Sequence, residues 1–120
     1  MGGRLTTHVL DTAQGCPASN MKIELWGLHP EGCSQTLLKT IYTTIDGRTD
    51  APLLIDDELV IGTYELVFAV GEYFAVQKVM TPTPPFLDRV PVRFGIANPS
   101  AHYHVPLLIS PWAYSTYRGS

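Results

Sequence analysis

Arg89-Val90-Pro91-Val92-Arg93-Phe94-Gly95-Ile96 sets Val90, Val92, Phe94 and Ile96 against Arg89, Pro91, Arg93 and Gly95. Successive side chains of a strand point to opposite faces, so this alternation predicts a β-strand with one core face and one more polar face. Thr63-Tyr64-Glu65-Leu66-Val67-Phe68-Ala69-Val70 repeats it, with Tyr64, Leu66, Phe68 and Val70 on the apolar side. Outward from these two runs, turn signals punctuate the chain at Gln14-Gly15-Cys16-Pro17, His29-Pro30-Glu31-Gly32, Asp46-Gly47-Arg48, Ile61-Gly62, Thr81 through Pro85, Asn98-Pro99-Ser100 and Ser110-Pro111. Short β-branched and aromatic runs lie between them, which marks an all-β sandwich or barrel and not alternating strands and helices. Strands are expected at Leu5–Asp11, Met21–Leu28, Leu37–Ile45, Leu53–Leu54, Thr63–Val70, Arg89–Ile96, His102–Ile109 and Trp112–Arg118. Glu72–Val79 fits a short helix, because Phe74 with Lys78 and Ala75 with Val79 are helical neighbours and Pro82 bars a longer run.

With 120 residues, 45% of them hydrophobic, the sequence is expected to form one domain over residues 1–120, with a real core. A formal net charge of -3 with no basic stripe argues against nucleic acid as a partner. No apolar run approaches the ~20 residues of a membrane helix, so no membrane partner is expected and a cytoplasmic location is. Cys16 and Cys33 have neither zinc-knuckle spacing nor the density of a disulfide-stapled domain, and free thiols are expected.

The chemistry concentrates late. Residues 102–120 hold imidazoles, hydroxyls and a guanidinium, and a polar tail that follows directly on an apolar strand is expected to be tied down at a site. Alternation puts Leu5 and Val9 on the core face of the first strand and Thr6, His8 and Leu10 on the other. In the strand at His102, Tyr103, Val105, Leu107 and Ile109 face one way and His102, His104 and Leu108 the other. Both histidine faces also carry a leucine, where a solvated face would be charged, so these faces are expected to meet another subunit. Histidines in such a partly desolvated groove are where shifted pKa values are expected.

Ordinary hydrogen bonding is the plainer reading of a lone His8, and His29 beside Pro30 is expected to be solvated. His102 and His104, two apart on one strand, could join His8 in a three-histidine zinc site. Arg48 lies just beyond a tight Asp46-Gly47 turn; its planar donor fork suits a flat imide or carbonyl ligand, the plainer alternative being a solvated charge. Cys16 and Ser115 lack a nucleophile elbow, no phosphate loop is present, and Asp56-Asp57-Glu58 is expected to be a solvated loop.

Leu5-Thr6-Thr7-His8-Val9-Leu10-Asp11, Asp46-Gly47-Arg48, Tyr103-His104-Val105-Pro106-Leu107-Leu108 and the closing Tyr114-Ser115-Thr116-Tyr117-Arg118-Gly119-Ser120 together resemble the transthyretin-related family, in its 5-hydroxyisourate hydrolase branch. The resemblance runs through nearly the whole chain in order and spacing. The closing Tyr-Arg-Gly-Ser marks the hydrolase branch; the hormone carrier of the family keeps the Ser-Pro and Tyr-Ser-Thr stretch but has other residues where His8, His104 and the tail stand here. The resemblance implies a transthyretin-like sandwich of two four-stranded sheets with one short helix. It also implies a homotetramer, a dimer of dimers with active sites in a channel between dimers, which agrees with the covered histidine faces inferred above. The implied reaction is ring-opening hydrolysis of 5-hydroxyisourate to 2-oxo-4-hydroxy-4-carboxy-5-ureidoimidazoline in urate breakdown, with no cofactor. His8, Arg48, His104 and Tyr117 match the family's active-site positions, with Ser120 at the matching tail.

Such a reaction needs a water made nucleophilic near neutral pH, which neutral imidazole provides, and a cation where oxyanion charge develops, which is Arg48. His104 or His8 serves as the base, the other orienting water or donating a proton, while Tyr117 and Ser120 close the pocket on the substrate ring. Two rivals stand beside this reading: a non-catalytic carrier of a planar small molecule, and a zinc-dependent hydrolase built on His8, His102 and His104.

Overall fold

The computed structural model describes residues 2–31 and 34–119. In chain order these form β1 (Arg4–Asp11), β2 (Cys16–Pro17), β3 (Lys22–Leu28), β4 (Gln35–Tyr42), β5 (Leu54–Ile55), β6 (Gly62–Ala69), α1 (Val70–Val76), β7 (Arg89–Ile96), β8 (His102–Ile109) and β9 (Tyr114–Thr116). One sheet runs β4-β3-β6-β7 and is antiparallel throughout. The other runs β2-β1-β8-β9, with β5 added against β1. β1 and β8 pair in parallel from Arg4↔His102 to Asp11↔Ile109.

The predicted alternation is what joins the two layers. Leu5, Val9, Tyr103, Val105, Leu107 and Ile109 from one sheet are buried in a single cluster with Ile23, Leu25, Leu66, Phe68, Val90 and Ile96 from the other. Each such side chain removed from water contributes about 1.5–3 kcal/mol, so the two inner faces are the main source of stability. Helix α1 adds Val70, Tyr73 and Phe74 to the same core. Its Tyr73 hydroxyl donates to Asp11 Oδ2 at 2.9 Å, and Asp11 also accepts from the backbone of Ala13 and Gln14 and from Gln14 Nε2. Burial first, then the facing Asp11 carboxylate, pushes the Tyr73 hydroxyl far up, so it stays a donor and ties α1 to the end of β1.

Several boundaries move from those expected. The helix starts two residues early, directly after β6, and stops at Val76 because Lys78 adopts φ 59, outside the right-handed helical range. Cys16-Pro17, expected as a turn, pairs with Leu10 and Asp11 as β2. Asp56–Glu58, expected as loop, forms one 3-10 turn, though its residues are exposed as anticipated. The last strand shortens from Trp112–Arg118 to Tyr114–Thr116, and β5 makes the second sheet one strand larger than four. Cys16 is an exposed free thiol; Cys33 lies outside the described residues.

Candidate active site

The parallel register of β1 and β8 decides the site. It sets Thr6 directly beside His104 and His8 beside Pro106 on the face turned away from the core. The Thr6 hydroxyl lies 2.7 Å from His104 Nδ1 and 2.9 Å from His102 Nε2, so one hydroxyl joins two imidazoles. His8 Nε2–H donates to the Asp46 carbonyl at 2.9 Å. A carbonyl only accepts, so that nitrogen carries the proton and neutral His8 keeps its lone pair on Nδ1.

Asp46 and Arg48 reach this face because the 44–48 turn docks on the free edge of β1, between the segments covered by β2 and β5. The turn closes through Gly47 N–H to Thr44 O (2.9 Å) and Thr44 N–H to Arg48 O (2.7 Å), while Gly47 O accepts from Val9 N–H at 2.8 Å. Gly47 adopts φ +75, and a Cβ there would lie 2.3 Å from Val9 O, so only glycine lets the turn come this close. The exposed Arg48 is thereby carried to the histidine face. Partial burial, then the neighbouring His102, Arg48 and His8, hold His104 below the ordinary imidazole range.

The tail completes the site from the other side. Register Leu107↔Thr116 would continue to Pro106 and Tyr117, but Pro106 has no N–H to give, and β9 ends at Thr116, whose hydroxyl donates to Pro106 O at 2.7 Å. Pairing resumes where Gly119 N–H donates to His104 O at 2.8 Å. A Cβ on Gly119 would lie 2.5 Å from His104 Cδ2, so the chain crosses the imidazole in van der Waals contact. Arg118 donates to His102 O at 3.2 Å and lies 4.3 Å over the Tyr103 ring, which pins the segment down.

Of the residues singled out from sequence, His8, Arg48 and His104 come together here. Tyr117, 61% exposed, borders a cavity between β7 and the β8–β9 end with Val92, Phe94 and Tyr103. Ser120 lies outside the described residues. His29 sits on the other sheet, 2.9 Å from the Thr36 hydroxyl, and lines a separate cavity of about 670 Å³ with Leu28, Ile61 and Tyr64. For the zinc alternative, among the described residues no three His, Cys, Asp or Glu side chains are placed to hold a metal ion. Thr6 and Gly119 were not picked out as functional from sequence. Thr6 could have been found from its place two residues before His8 on the histidine face; the Gly119 contact has no local signal.

The family model described as HIUase/Transthyretin matches residues 5–119. The chain belongs to this family. Within it, 5-hydroxyisourate hydrolase 2 of Rhizobium meliloti is 57% identical over 98% of this chain and 97% of its own. A crystal structure of (S)-allantoin synthase superposes with TM-score 0.93 at 51% identity, over 99% of this chain; the chain spans 44% of that protein. The 5-hydroxyisourate hydrolase of Klebsiella pneumoniae superposes with TM-score 0.76 at 31% identity, covering 98% and 99% of the two chains. The transthyretin-like sandwich expected of the family is thus the fold observed.

Proposed function

We propose that this chain is a hydrolase that opens 5-hydroxyisourate to 2-oxo-4-hydroxy-4-carboxy-5-ureidoimidazoline in urate catabolism. The observation that carries the reading is the convergence of His8, Arg48 and His104 under Gly119, in a chain more than half identical to a relative named for this reaction. His104, kept neutral by its surroundings, takes a proton from water as the water oxygen bonds to the ring carbonyl carbon. Arg48 stabilises the oxyanion that develops there. The ring C–N bond then breaks and its nitrogen takes up a proton, delivered from the histidine pair. No cofactor enters this scheme. Tyr117, at the rim of the neighbouring cavity, and Ser120, outside the described residues, stay substrate-binding positions by family resemblance alone.

The histidine face is also proposed as the seam of a homotetramer, a dimer of dimers. Leu10 and Leu108 lie side by side on that face, half-buried in the single chain, and Ile45 beside the site is 83% exposed. A partner covering these side chains would desolvate the imidazoles and turn an open face into a closed site. A cytoplasmic location, with no nucleic acid or membrane partner, belongs to the same reading.

The deciding experiment follows the ultraviolet absorbance of freshly generated 5-hydroxyisourate with and without the protein. Accelerated decay, with product identified by NMR, is expected; stoichiometric binding without turnover would instead identify a carrier. Light scattering of the active protein tests the tetramer, and an active monomer would remove it.

A further inference from the structure

The least explained contact in the site is the Thr6 hydroxyl shared between His104 Nδ1 and His102 Nε2. A hydroxyl has one proton, so Thr6 donates to only one neutral ring and the other ring must donate to it. If Thr6 gave its proton to His104, the proton of neutral His104 would sit on Nε2. His104 would then have no lone pair left to take a proton from water, and its Nε2–H would face the site as a further donor beside Arg48. If Thr6 gives its proton to His102, His104 Nδ1–H is bound to Thr6 and the Nε2 lone pair stays free to take a proton from water.

We propose that Thr6 and His102 are positioning residues, which fix His104 in the tautomer whose Nε2 lone pair faces the site. The inference rests on the functional reading above for its catalytic consequence, though not for the tautomer itself. Thr6 is suited to the part: it lies level with His104 in the parallel register, half-buried, its orientation set by the strand. His102 is held in turn by the strand and by Arg118 on its carbonyl. The charged and titratable groups around His104 are His102 on its own strand, His8 on β1 and Arg48 on the docked turn, and none of them supplies an acceptor to Nδ1 in place of Thr6.

The test uses the full chain labelled with 15N at histidine, in two-bond proton–nitrogen correlation spectra above the imidazole titration range. With four histidines in the chain, His104 is assigned by its loss in His104→Gln. Nδ1 protonated and Nε2 bare is expected in the unaltered protein. Thr6→Val should lose that preference and lower kcat roughly 10-fold or more at nearly unchanged KM, as expected when a reacting group is no longer held in place. Thr6→Ser should restore both, and His102→Gln, which keeps an acceptor, should retain more of the signal than His102→Ala. A protonated His104 Nε2 in the unaltered protein, or full kcat in Thr6→Val, overturns the proposal. If the unaltered protein leaves 5-hydroxyisourate intact, the functional reading falls, and the nitrogen spectra still decide the tautomer.

Discussion

Gly119 and His104 touch so closely that no side chain fits between them: the Gly119 amide bonds the His104 carbonyl at 2.8 Å, and a Cβ would come within 2.5 Å of the ring. Gly119→Ala should therefore push either the tail or the imidazole aside. An ångström-scale displacement of a reacting group costs on the order of 100-fold in rate, and a loss of that order in kcat is expected, with circular dichroism and melting temperature nearly unchanged. Truncation after Thr116 should reproduce the loss. Full activity per folded protein in either variant would show that the tail serves only as a chain end.

Gly47→Val should act on both stability and activity. Its φ of +75 costs a side-chain-bearing residue about 1–2 kcal/mol, and the Cβ collides with the Val9 carbonyl besides. For a domain of this size each kcal/mol lowers Tm by roughly 4 °C. Activity per folded molecule should fall further, because the turn that carries Arg48 and the His8 acceptor can no longer seat on β1. Calorimetry paired with a specific-activity measurement separates the two effects; unchanged specific activity in the folded fraction would detach the turn from the site.

Replacing His8, Arg48 or His104 by a neutral residue should lower turnover about 100-fold or more, the usual cost of losing a general base or a charge-stabilising donor. His29→Ala, which removes an imidazole bonded to the Thr36 hydroxyl by the other sheet, should leave the rate intact. Steady-state kinetics on the folded variants check each residue separately, and near-normal kcat removes that residue from the mechanism.

The lowered pKa of His104 gives a signed pH prediction. Unfolded, the imidazole titrates near its ordinary value of ~6.5; folded, it resists protonation until a lower pH. Between those two points the unfolded state binds more protons, so stability rises with pH across the window and is constant with respect to His104 above it. Melting temperature should fall on acidification through this range, and His104→Gln should flatten that part of the profile. The acid limb of kcat should likewise lie below the ordinary imidazole range and shift upward in Arg48→Leu, which removes a neighbouring positive charge. An acid limb unmoved by Arg48→Leu would mean that another group sets it.

The layers of the fold were legible because strand alternation is a local signal: Val90, Val92 and Ile96, like Tyr64, Leu66 and Phe68, are buried where period two puts them. The orientation of His8 and His104 followed from the same rule. What could not be read is whatever depends on register between distant strands. Nothing local says that Thr6 faces His104, or that Pro106 interrupts the tail so that pairing resumes at Gly119. The ends of α1 and β9 were missed for the same kind of reason: a single left-handed residue at Lys78 and a missing donor on the neighbouring strand override local preference.

The parallel pairing of β1 with β8 also fixes when the site can exist. Thr6 and His104 are 98 positions apart in the chain, so the hydroxyl that joins His104 and His102 to the first strand links the earliest and latest parts of the chain. During synthesis the His8 strand must wait, one edge unpaired, until the His104 strand has left the ribosome and can slot in beside it. Chain closure over that separation is slow compared with hairpin formation. Hydrolytic competence should therefore be among the last properties a refolding chain acquires, trailing the local β3–β4 pairing, and an unfinished chain lacking β8 carries His8 and Arg48 without the His104 they act with.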